Sequence, residues 1–90
     1  MIPNKRLPTH PGKILLHEFL EPLEISQSEL ARKLHIPIQR INTLVNQKRG
    51  ISAETAILLS KEFGTSPEFW MNLQTTYDLY IAMHKIKKAA

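Results

Sequence analysis

Five basic side chains lie close together in the sequence with no acidic residue among them. The stretch between Glu29 and Glu54 contains Arg32, Lys33, Arg40, Lys48 and Arg49. Guanidinium and ammonium groups bind phosphates, and their concentration on one motif is the electrostatic footprint of a nucleic-acid contact. A basic run alone is more often a solvated surface, so its meaning depends on the elements that present it.

The segments on either side of this window are not basic, so the excess positive charge is concentrated in the window and in the C-terminal tail. Residues 1–29 carry three basic and four acidic side chains, and residues 54–84 carry one basic and four acidic side chains. Three lysines in the C-terminal tail complete the net charge of +4. A polyanionic partner is therefore expected at the window and not over the whole surface.

Residues 26–46 have the pattern of two short helices joined by a tight turn. Ser26 and Glu29 match a capping box, which predicts a helix that begins directly after the serine. Pro37 then opens a second helix that ends near Val45. Helices of this length and spacing form a helix–turn–helix motif.

The second helix of this motif is predicted to enter the major groove of double-stranded DNA. Ala31 is small enough for the two helices to cross closely, and Ile41 and Leu44 supply the apolar contact. Arginine favours the guanine edge and glutamine the adenine edge, whereas isoleucine offers only apolar contact. The residues predicted to contact bases are Ile38, Gln39, Arg40, Asn42 and Thr43.

A second set of polar residues is suited to the DNA backbone. Gln27 lies at a helix N-terminus, where N–H groups and the helix dipole favour an anion. The others follow the second helix of the motif in a polar loop. Such contacts fix register and add affinity without reading sequence. The predicted phosphate contacts are Gln27, Asn46, Lys48 and Arg49.

The N-terminal part of the chain predicts an arm and one helix. Residues 1–9 contain two prolines and are expected to be extended. A helix is predicted from about Gly12 to Glu21, and Pro22 is expected to stop it.

Two further helices complete an all-α domain of five helices over residues 1–90. Ser52 and Gly64 bound a fourth helix, residues 53–63. A fifth helix is predicted from Pro67 to about residue 84.

The fifth helix is apolar over more than half of its circumference. Trp70, Leu73 and Tyr77 are expected to complete the core. A small domain needs only one apolar face for its core, so the excess predicts a homodimer. The residues predicted at the dimer interface are Leu79, Tyr80 and Met83.

The sequence lacks the patterns of an enzyme. His17 and Glu18 begin a sequence like the zinc-binding helix H-E-x-x-H, but Glu21 replaces the second histidine. The chain has no cysteine and only three glycines, which excludes thiolate sites and a glycine-rich phosphate loop. We predict no enzymatic activity, no cofactor and no metal. No apolar run approaches the ~20 residues of a membrane span, so a cytoplasmic protein without a membrane partner is expected.

Four segments carry a resemblance to a known family: residues 6–12 (RLPTHPG), 19–23 (FLEPL), 46–52 (NQKRGIS) and 63–74 (FGTSPEFWMNLQ). In this order, over about residues 6–80, they are similar to the HigA/VapI antitoxins of bacterial addiction modules, within the Cro/repressor-like (XRE) helix-turn-helix family. The resemblance implies an antitoxin that binds an inverted-repeat operator as a dimer and represses its own operon. It also implies a cognate toxin partner, RelE-like and mRNA-cleaving.

The chain departs from the family pattern at two positions. His35 occupies a turn position where most relatives have glycine, and histidine enters the left-handed region more readily than most residues. Lys13 stands where relatives often have glutamate, which changes the charge beside the first helix. Two alternatives keep the fold: a stand-alone XRE-type transcriptional repressor without a toxin partner, and a protein-binding adaptor.

Overall fold

The computed structural model describes residues 7–89, and every regular element in that range is helical. The first helix, α1, comprises Pro11–Ile14, a π-helical segment Leu15–Leu20 and a closing turn Glu21–Leu23; the others are α2 (Gln27–Leu34), α3 (Ile38–Val45), α4 (Ala53–Phe63) and α5 (Pro67–Ala89). The predicted all-α fold of five helices is confirmed. Most of the predicted arm, residues 1–6, lies outside the described residues.

The C-terminal end of α1 differs from the prediction. Pro22 does not stop the helix, which continues to Leu23 and is capped by Glu24 with a left-handed backbone (φ 55°). In a regular α-helix the proline ring would meet the carbonyl of Glu18. Here the N–H of Glu21 bonds to the carbonyl of Leu16, five residues back. This wider π-helical turn accommodates the proline inside the helix.

The N-terminal end of α1 is fixed by a buried histidine and a glycine. His10 Nδ1 accepts a hydrogen bond from the N–H of Gly12 at 2.9 Å, and the imidazole meets the ring of Tyr77 edge-on, with centroids 4.9 Å apart. Gly12 lies against α3, where an added Cβ would overlap the backbone carbonyl of Leu44. Only glycine allows α1 to approach the C-terminal turn of α3 this closely.

The capping signals around α2 are confirmed. The Ser26 Oγ accepts from the N–H of Glu29 at 3.0 Å, and the Glu29 carboxylate accepts from the N–H of Ser26 at 3.1 Å. This bond from the Ser26 backbone lowers the pKa of the Glu29 carboxyl. At the other end, His35 adopts the left-handed conformation expected of the turn (φ 56°).

The core is built from one buried face of each helix. Trp70 is its largest fully buried side chain; the indole donates to Thr65 Oγ1 at 2.8 Å and packs beside Phe19. Leu73 and Tyr77, also predicted in the core, are half-buried. The buried apolar residues are Leu15, Leu20, Leu30, Ala31, Leu34, Ile41, Leu44, Val45, Ile51, Ala56, Leu59 and Trp70.

Helix α5 is longer than predicted and its second half projects from the core. The helix ends at Ala89, and not at about residue 84. From Asp78 to Lys87 the described side chains are exposed, except that of Tyr80, which is half-buried. The molecule is accordingly elongated, 45 × 23 × 23 Å. No helix among the described residues combines the length and apolar character that a membrane crossing requires.

The His10 cap makes the stability of the fold depend on pH. Burial lowers the pKa of the His10 imidazole below its ordinary value, against the opposing effect of the Asp78 charge. The stabilisation from neutral His10 is therefore complete above the unfolded-state pKa of about 6.5. It is lost as the pH falls below that value towards the lowered folded-state pKa.

We expect His10→Asn to reduce this pH dependence, because an asparagine oxygen can cap the helix without titrating. Urea unfolding is measured at about pH 7.5 and at about pH 5, above and below the ordinary pKa of histidine. The wild type should lose more free energy of unfolding over this interval than the variant does. The other histidines are common to both proteins and cancel in the comparison, so equal losses would contradict this role.

Candidate nucleic-acid interface

Helices α2 and α3 form the predicted helix–turn–helix. Ala31 is buried where they meet, and its carbonyl accepts from the N–H of Ile36 in the turn at 3.0 Å. Ile41 and Leu44 are fully or almost fully buried beneath α3. These contacts fix one face of α3 against the domain and leave the opposite face to solvent.

The residues predicted to contact bases are distributed unevenly over that outer face. Gln39 is exposed and lies one helical turn before Thr43, in the middle of the face. Arg40 and Asn42 are half-buried on the two flanks. Ile38 is half-buried and packs against the core, so only part of its side chain is presented outward.

The Thr43 side chain is restricted in what it can offer a base. Its hydroxyl donates to the backbone carbonyl of Gln39 at 2.7 Å, within α3. The hydroxyl proton is therefore committed, and the oxygen can still accept a hydrogen bond. Thr43 is suited to an exocyclic amino group or to apolar contact through its methyl group.

The basic window is not free of acidic groups in three dimensions, and this corrects the sequence analysis. Arg40 Nη1 donates to Glu54 Oε1 at 3.2 Å, and Lys33 Nζ lies 3.4 Å from Glu62 Oε2. Both carboxylates come from α4, which the sequence places outside the window. Within the part of the chain that the structure describes, no acidic oxygen lies within 4.0 Å of the three remaining cations, Arg32, Lys48 and Arg49.

The loop after α3 carries three of the four predicted phosphate contacts. Asn46, Lys48 and Arg49 are exposed in it. Gln47 has a left-handed backbone (φ 62°), and the N–H of Lys48 closes the turn onto the carbonyl of Thr43 at 2.8 Å. Backbone hydrogen bonds therefore hold the start of this loop, with Asn46 and Lys48, at the end of α3.

The fourth predicted phosphate contact, Gln27, lies apart from this loop. It is the first residue of α2 and is half-buried beside the Ser26 cap. The two sets of predicted phosphate contacts thus belong to separate elements, at the N-terminus of α2 and beyond the C-terminus of α3.

One residue that positions this loop was missed from the sequence. Gln74 of α5 is buried; its Oε1 accepts from the N–H of Ile51 at 2.6 Å and its Nε2 donates to Asp78 Oδ1 at 2.8 Å. An added Cβ on Gly50 would clash with the same amide. The available signal was a glutamine on the apolar face of α5, between Trp70 and Tyr77, since buried amides require hydrogen-bond partners.

The chain matches a known domain family and is similar in sequence to several known proteins. The helix-turn-helix family pattern matches residues 16–70. Virulence-associated protein I of Dichelobacter nodosus is 47% identical over 73 residues, which are 81% of this chain and 68% of that protein. The uncharacterized HTH-type transcriptional regulator YbaQ of Escherichia coli (strain K12) is 45% identical over 75 residues, 83% of this chain and 66% of that protein. The match thus spans about two-thirds of the length of these curated relatives.

A solved structure is similar over nearly the whole chain. It is the HigA antitoxin of Pseudomonas aeruginosa with the higBA promoter, which is 46% identical to this chain and superposes with a TM-score of 0.88. The superposition covers 91% of this chain and 89% of that chain. The likeness therefore includes α5 as well as the helix–turn–helix.

Proposed function

The chain belongs to the HigA/VapI group of the helix-turn-helix family, and we propose that it is an antitoxin that represses its own operon as a dimer and neutralises a RelE-like, mRNA-cleaving toxin. The observation that carries the proposal is the likeness to a HigA antitoxin solved with its promoter. The family consists of DNA-binding regulators and antitoxins, so the prediction that the chain is not an enzyme is confirmed. A cytoplasmic location is part of the proposal, because operon and mRNA are found there.

The proposed DNA contact places α3 in the major groove of an inverted-repeat operator. Gln39 and Thr43 face the bases from the middle of α3, with Arg40 and Asn42 on its flanks and Ile38 at its start. Lys48 and Arg49 approach the phosphates from the loop, together with Asn46, and Gln27 does so from the N-terminus of α2. This division separates base reading from backbone binding.

Arg40→Ala and Lys48→Ala should have different effects on DNA binding. Loss of the arginine should relax base preference at one position and cost about 1–3 kcal/mol on the selected site. Loss of the lysine should weaken binding to all sequences and reduce the salt slope by about one. Binding curves at several salt concentrations measure both effects, with a duplex that the wild type selects from a random pool and a random duplex. Equal effects of the two substitutions on both duplexes would contradict the assignment.

The proposed dimer uses the part of α5 that leaves the core. Leu79, Met83 and Ile86 follow at spacings of four and three, and their exposed fractions are 57%, 43% and 69%. An isolated helical end of this length is marginal in water, so a second copy packed on this face would stabilise it. Tyr80 lies on the same side. Pairing of this kind would set the α3 helices of the two copies, the recognition helices of the proposed complex, about one DNA turn apart, ~34 Å.

Leu79→Lys combined with Met83→Lys should make the protein monomeric at micromolar concentration, because four charges would meet across the two-fold interface. Sedimentation equilibrium measures the mass directly. The matched control is Leu23→Lys with Ile57→Lys, which changes two comparably exposed apolar side chains on α1 and α4. A dimer that survives the α5 substitutions, or dissociates equally in the control, would overturn this interface.

Co-expression with the product of the neighbouring gene tests the toxin partner. If that product arrests growth, this chain should restore growth and co-purify with it as a complex. A second candidate function is a stand-alone repressor, because the relative YbaQ is named a transcriptional regulator. That function would give operator binding with neither rescue nor complex. An adaptor would give no sequence-specific DNA binding at all.

A further inference from the structure

The ion pair between Arg40 and Glu54 joins the predicted recognition helix to α4. Arg40 Nη1 lies 3.2 Å from Glu54 Oε1, and the side chains are 30% and 72% exposed. An exposed pair of this kind contributes little to folding stability. Its position matters more, because a carboxylate on a DNA-facing surface repels phosphates.

Glu54 is well placed to hold the arginine in one orientation. It lies in the first turn of α4, where the helix dipole favours a negative charge. That turn is itself fixed, since Ser52 Oγ accepts from the N–H of Thr55 at 3.2 Å. The residue before the cap, Ile51, is held by Gln74. The Glu54 carboxylate therefore extends from a helix end whose backbone is held by these hydrogen bonds.

The pair leaves the arginine able to read a base. A guanidinium has five N–H groups in a planar fork, and two of them suffice for the guanine edge. Ordering a long arginine side chain is costly in rotamer entropy, and that cost is reduced when the fork is already held. The Glu54 carboxylate beside the Arg40 guanidinium also repels DNA phosphates, which are the other groups that this guanidinium could bind.

We propose that Glu54 is a positioning residue for base recognition: it orients Arg40 towards the base edge and lowers affinity for DNA in general. Glu54 thus lowers the affinity for any DNA and raises the preference for the selected sequence over others. This inference rests on the proposed function, because it requires Arg40 to contact DNA.

Glu54→Gln tests the proposal, and Glu62→Gln is its matched control. Each removes one carboxylate from α4 and breaks one ion pair, but the partner of Glu62 is Lys33 on α2, which is not among the predicted base contacts. The probes are a duplex selected by the wild type from a random pool and a random duplex of equal length. Glu54→Gln should bind the random duplex about twofold tighter and lose about fivefold in the ratio of selected to random binding. Glu62→Gln should keep the wild-type ratio.

A double-mutant cycle identifies the residue through which Glu54 acts. In an Arg40→Ala background, Glu54→Gln should leave the ratio unchanged, because the side chain that it orients is gone. An unchanged ratio in the single variant, an equal loss in Glu62→Gln, or an equal loss in the Arg40→Ala background would each overturn the inference. A general loss of fold is detected separately as a lowered Tm. If the wild type selects no sequence at all, the proposed function fails instead.

Discussion

The arrangement of the whole domain depends on the close approach of α1 to α3 at Gly12. No side chain can be placed there, because the backbone carbonyl of Leu44 occupies the space that a Cβ would need. The contact sets how closely the C-terminal turn of α3 packs on α1. His10 fixes the same end of α1 by accepting from Gly12, and it brings in Tyr77 of α5. Three helices thus meet around His10 and Gly12, α3 at the glycine and α5 at the histidine.

The sequence predicted the parts of the structure that are determined locally. The capping box at Ser26 and Glu29 and the left-handed residues His35 and Gly64 act within four residues of chain, so their geometry follows from neighbouring side chains. Pro22 was misread because its effect depends on a π-helical turn, for which the sequence carries no clear signal. The pairing of Arg40 with Glu54 was missed for another reason, since the two residues are brought together only by tertiary packing.

That pairing changes how the charge of the molecule should be understood. The basic window was defined by order in the sequence, but the surroundings of a charge are set by the fold. Helix α4, which follows the window, places Glu54 beside Arg40 and Glu62 beside Lys33. Of the three window cations that form no ion pair within 4.0 Å among the described residues, two, Lys48 and Arg49, lie in the loop after α3. In the proposed interface, general attraction to phosphates comes from the loop, and Arg40 on the flank of α3 is paired with a carboxylate.

Helix α5 connects the two proposed surfaces because it belongs to both. Its first half is anchored in the core by Trp70, and Gln74 accepts from the backbone N–H of Ile51 at the end of the loop after α3. Its second half leaves the core and exposes the face proposed to bind a second copy. Asp78 stands at the boundary, where it accepts from Gln74 and raises the pKa of His10 against the effect of burial. One continuous helix therefore holds the end of the loop and the N-terminus of α1 with its first half, and carries the proposed dimer face on its second half.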